Sequence, residues 1–74
     1  MEAQPENILI FRRGRAELKI KVKNFPTSGR VVMLKQSAII SVSPAMKYLV
    51  GREVRIVGLL NGHGNQRRAQ FEEA

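Results

Sequence analysis

The chain has 74 residues, 13 Lys and Arg against 6 Asp and Glu, a formal net charge of +7 and no cysteine. That length makes one small domain, and the composition excludes disulfides, thiolate metal sites and, with His63 as the single histidine, a histidine-built metal centre. No run approaches the roughly 18–20 apolar residues of a transmembrane helix, so the chain reads as soluble and cytoplasmic, or nucleoid-associated, with no membrane partner.

Residues 1–7 hold Glu2, Pro5 and Glu6 without apolar periodicity and are expected to form a loose acidic leader. The apolar run 8–11 is followed at once by Arg12, Arg13, Gly14 and Arg15. This predicts a short strand ending in a basic glycine turn. Residues 17–23 give the clearest pattern: Leu18, Ile20 and Val22 alternate with Glu17, Lys19, Lys21 and Lys23. A period of two marks a half-buried strand, with one face on a core and the other presenting three lysines. Asn24, Phe25, Pro26, Thr27, Ser28 and Gly29 then supply turn chemistry.

Residues 30–34 read as a second strand, buried on both faces or nearly so. Residues 38–42 are a further β-prone run, and the two form either a hairpin or one bent strand. At 43–51 the pattern changes. Ser43 suits a helix cap, Pro44 its first turn and Gly51 the left-handed residue beyond its end. Met46, Leu49 and Val50 fall at i, i+3 and i+4, so a two-turn helix over 44–50 is expected. Residues 52–60 return to strand, and Asn61-Gly62 begins a turn. Residues 66–71 read as either a short return strand or part of a tail, and low strand propensity and the terminal position favour the tail: 63–74 is expected to be flexible, basic at Arg67 and Arg68 and acidic at Glu72 and Glu73. The single basic domain thus spans 8–62. It is expected to be mostly β: a small barrel or curled sheet of four to five strands with one short helix.

All the basic residues but only Glu17 and Glu53 of the acids lie between Ile8 and Phe71. A body so basic repels itself, and a polyanionic partner is the usual reason to tolerate this. Nucleic acid fits, because each neutralised phosphate releases a counterion. On a strand, Lys19, Lys21 and Lys23 project about 7 Å apart, close to the phosphate spacing of a DNA strand. Arg12, Arg13, Arg15 and Arg30 add guanidinium forks that hold phosphate or guanine. Arg67 and Arg68 are expected to add a mobile basic arm. The aromatics are sparse, namely Phe11, Phe25, Tyr48 and Phe71, which favours backbone binding over base stacking. Residues 27–30 read as a tight turn rather than a phosphate nest. No Asp is present and no serine has a His–Asp partnership, so no catalytic site, cofactor or small-molecule substrate is expected.

Two segments resemble the SpoVT/AbrB-type swapped-hairpin β-barrels, particularly the short archaeal transposon-encoded members. In residues 21–32, the basic strand, the small-residue turn and Gly29-Arg30-Val31 are similar to that family's pattern. In residues 40–56, so are Ser43-Pro44 and Gly51-Arg52-Glu53-Val54-Arg55-Ile56. The two segments cover about half the chain, and the intervening 33–39 departs from the family, whose Gly-Arg-Val strand leads directly into the proline. The resemblance implies an intertwined homodimer that binds DNA through Lys19, Lys21, Lys23 and Arg30. A partner subunit or larger assembly would also relieve the small core of so short a chain. Double-stranded DNA is therefore the expected partner. RNA on a ribonucleoprotein particle, or an acidic protein docked by a structural subunit, are the alternatives.

Overall fold

In the computed structural model residues 6–74 are described, and most of the leader expected over 1–7, residues 1–5, lies outside them. Strands β1 (Asn7–Arg13) and β2 (Ala16–Val22) form a hairpin through Gly14-Arg15. Strands β3 (Val31–Met33) and β4 (Ile39–Val42) are short, and β5 (Glu53–Asn61) and β6 (Gln66–Glu73) form a second hairpin. All six make one sheet in the order β3-β5-β6-β1-β2-β4. Every pairing is antiparallel except β1 with β6, which joins the two hairpins in parallel.

The connections force this sheet to curl. In a flat six-stranded sheet the two edge strands are separated by about 24 Å. The link from Met33 to Ile39 includes the 3₁₀ turn Gln36–Ala38 and reaches only about 16 Å. β3 and β4 are opposite edges, so the sheet must bend until they approach. The result is a half-barrel, and the connections 23–30, 34–38 and 43–52 all cross its open side. The concave interior holds Leu9, Phe11, Leu18, Ile20, Leu34, Met46, Leu49, Val54, Ile56 and Ala69. Leu34, Met46 and Leu49 come from the crossing segments and close the core over the sheet.

Six strands replace the expected four to five, chiefly because 63–74 is not a tail. Residues 66–73 form β6, between β5 and β1 near the middle of the sheet. Only Ala69 and Phe71 mark its inner face as apolar, and Arg67 shares that face, so the alternation is nearly invisible in sequence. The expected helix is a 3₁₀ helix, Pro44–Leu49. Its three residues per turn bring Met46 and Leu49 onto one inward line, and its rise of about 2 Å per residue spans the gap from β4 to β5 better than an α-helix would. Val50 is extended and Gly51 takes φ +81°, the left-handed stop expected there. Ser43 does not cap this helix: its Oγ accepts from the Glu17 N–H at 2.9 Å, prolonging the β2–β4 ladder.

Residues 31–42 are two strands on opposite edges, neither a hairpin nor one bent strand. β3 is also not buried on both faces, because an edge strand of a one-layer sheet has only one core side, and Val31 and Met33 lie on the other. Among the described residues no helix is long and apolar enough to cross a membrane.

The β5–β6 turn contains a close approach. A Cβ on Gly62 would lie 2.6 Å from the Gln66 carbonyl oxygen, a backbone atom that cannot swing aside. Gly62→Ala should therefore destabilise the fold by about 1–3 kcal/mol, read as a lower urea midpoint with an unchanged slope.

Candidate nucleic-acid interface

The convex face is assembled by register. One row across the sheet runs Ser41, Lys19, Ile10, Arg68, Leu60 on strands β4, β2, β1, β6 and β5. The next row holds Lys21, Ile8 and Gln66, and a third pairs Arg12 with Glu17. Ile10 lies on this outer face yet is only 6% exposed. Its flanking neighbours are Lys19 and Arg68, long side chains whose methylene stems shield apolar surface while their charges stay in water. Lys19 and Lys21 carry out the expectation of a lysine face; Lys23 falls past the end of β2.

Arg68 joins the lysines instead of forming an arm. Among the described residues Lys19, Lys21 and Arg68 make no ion pair, whereas Arg12 is paired with Glu17, Arg13 with Glu73 at 3.4 Å and Arg55 with Glu72 at 3.7 Å. Arg12 Nε donates to Glu17 Oε2 at 2.8 Å. This hydrogen bond holds the Glu17 carboxyl below its ordinary range; partial burial opposes the shift, and the charges of Arg12, Lys19 and Arg68 assist it. A carboxylate with a depressed folded pKa stabilises above its unfolded pKa, and that stabilisation is lost as pH falls through the folded value. Glu17→Gln should flatten this acid limb of the stability curve. It should also release Arg12 and tighten nucleic-acid binding a few-fold, as measured by anisotropy at low salt.

The other expected contacts sit at the ends of the half-barrel. Arg13 stacks on Phe71 at 5.1 Å, and Phe71 meets Phe11 edge-to-face at 5.1 Å, so Arg13 is part of a packed corner. Arg15 is exposed at the hairpin tip. Arg12, Arg13 and Arg68 line one open cleft of about 620 Å³ with Leu60, Gln70 and Phe71. At the opposite end Arg67 is fixed rather than mobile. It donates to the Gly64 and Gln66 carbonyls at 3.0 and 2.8 Å and covers the Phe25 ring at 5.3 Å. Phe25 and Arg30 line a second cleft, of about 420 Å³, and Lys23 is next to its Asn24 wall.

The turn 27–30 is indeed tight, with Arg30 N–H donating to Thr27 O at 3.2 Å. Gly29 N–H bonds Ile56 O at 2.7 Å and Ser28 Oγ bonds Val57 O at 2.7 Å. These donors are spent on β5, at its bulge between Ile56 and Gly58, and are not turned toward a phosphate.

Sequence reasoning missed two placements. Arg68 reaches the lysine face only through the parallel β1–β6 pairing, for which no local signal exists. Phe25, in the 24–29 turn, packs partly buried against the core and under Arg67, and it also lines the second cleft between Asn24 and Arg30.

The class defined by fold and surface is a six-stranded half-barrel with a basic convex face. No protein-family model, curated protein or solved structure matches the chain.

Proposed function

We propose that this protein binds nucleic acid, in the first instance double-stranded DNA, through phosphate contacts on its convex face. The observation that supports this most is the row in which Lys19 and Arg68, both without ion partners among the described residues, flank Ile10, with Lys21 beside them. A purely solvated face has no need to bring unpaired charges from two strands, β2 and β6, together around Ile10. Affinity is phosphate-dominated in this reading. If Lys19, Lys21 and Arg68 each neutralise one phosphate, log affinity falls against log salt with a slope of about −2.7 or steeper. A homodimer and a cytoplasmic or nucleoid location belong to the same reading, and the exposed Met33 on edge strand β3 belongs to a surface a second copy would cover.

The test is a salt titration with a DNA duplex and a structured RNA of equal length, with mass in solution recorded alongside. A steep slope and tighter duplex binding support the proposal. A monomer preferring RNA moves the function to a ribonucleoprotein, and no binding at moderate salt rejects nucleic acid as the partner.

A further inference from the structure

We infer that the cleft beside Phe25 receives one unpaired nucleobase of the bound strand; this rests on the nucleic-acid reading above. The cleft measures about 420 Å³, ample for a base, and its walls include Val22, Phe25, Pro26 and Val32, with Asn24 and Arg30 at polar positions. Among the described residues no carboxylate lines it. Aromatic and aliphatic walls suit the flat face of a base, which gains by stacking whatever its identity. The Asn24 amide makes no side-chain hydrogen bond among the described residues, so both its donor and its acceptor are available for a base edge. Arg30 makes no ion pair among the described residues, nor does Lys23, adjoining in sequence. Their charge fits the phosphates on either side of such a base.

The cleft is also built to keep its shape. Arg67 holds one side of the Phe25 ring while its guanidinium is tied to two backbone carbonyls. The turn that continues from Pro26 is anchored to β5 through Ser28 and Gly29. Little ordering is left to be done on binding, which favours affinity.

The charge decides the occupant. An aliphatic side chain would use the apolar walls but leave Lys23 and Arg30 without a counter-charge. An acidic peptide would satisfy the charges but not the ring and the amide. A nucleotide satisfies both. The base must be unpaired, because a paired base has its faces covered by its neighbours in the stack and cannot present them to Phe25. Such a nucleotide occurs in a bulge, an overhang or a single strand, of either DNA or RNA.

The experiment compares a DNA duplex carrying one bulged 2-aminopurine with the same duplex fully paired, and repeats the pair in RNA. Expected results are about tenfold tighter binding of the bulged form and quenching of the 2-aminopurine fluorescence on binding. The sugar that shows the larger preference identifies the strand. Phe25→Leu and the exposed-site variant Asn24→Ala should each shrink the preference while leaving the affinity and salt slope for the paired duplex as they were. Equal binding of bulged and paired forms overturns the inference and leaves the convex-face proposal standing. A preference that survives both substitutions likewise overturns it. If neither form binds, the convex-face proposal fails and this inference falls with it.

Discussion

Reversing Lys19, Lys21 and Arg68 together to glutamate should lower duplex DNA affinity by about 500-fold or more at 0.1 M salt and flatten its salt dependence. Each phosphate contact contributes about 0.9 to the salt slope. Three lost contacts, reckoned from 1 M salt, where the counterion contribution vanishes, down to 0.1 M, amount to about 500-fold. Reversal adds repulsion to that loss. The fold should survive, since none of the three enters the core and none makes an ion pair among the described residues. The cost is a thinner cover over Ile10, because a glutamate stem is shorter than that of lysine or arginine.

The control reverses Lys35, Lys47 and Arg52, which lie on the connections across the open side. That variant has the same net charge. If binding depends on where the charge sits, the control keeps most of its affinity. If both variants lose it equally, only overall charge matters and the convex face has no special role. Unchanged affinity in the first variant would show that Lys19, Lys21 and Arg68 are merely solvated.

The choice of Arg68 rather than Lys23 as third member shows where sequence stops informing. The alternation of β2 was legible because every inward residue there is apolar and every outward one charged. The turn at Gly14-Arg15 was legible because the apolar run 8–11 gives way at once to basic residues and a glycine, although β1 itself, with Ile8 and Ile10 on its outer face, shows no such alternation. The start of β5 read correctly for the same reason, but its bulge near Val57 depends on the 27–30 turn docking against it, a contact between distant segments. β6 was misread because its neighbours supply the apolar environment. With β5 and β1 on either side, Gln66–Glu73 needs only Ala69 and Phe71 to face the core. Tertiary pairing there overrides a weak local preference. The segment 44–49 was placed correctly and its winding was not, since the span it must bridge is set by the curl of the whole sheet.

Deleting residues 66–74 should abolish cooperative folding, the opposite of what a flexible tail would do. β6 pairs on both sides, with β5 from Asn61↔Arg67 to Val54↔Glu73 and with β1 from Ile8↔Gln66 to Phe11↔Ala69. Its loss separates β3–β5 from β1–β2–β4, which meet nowhere else in the sheet. It also removes Phe71 from the Phe11 ring. A domain of this length has about 4–11 kcal/mol of stability, and truncating one core aromatic typically costs about 3–5 kcal/mol. Phe71 is only partly buried, so its loss costs less than that, and the unpaired edges of β1 and β5 must take the rest of the margin. Circular dichroism and a urea melt decide it: a sloping, non-cooperative transition is expected. A sharp native-like transition would mean that β6 contributes nothing and that the sheet order is wrong. Removing only residues 72–74 is the informative contrast. It takes away the exposed pairs Arg55–Glu72 and Arg13–Glu73, worth under about 1 kcal/mol each, and leaves Ala69 and Phe71 in place. That shorter deletion should fold and, with Arg13 and Arg55 released from their carboxylates, bind duplex DNA more tightly than the intact chain.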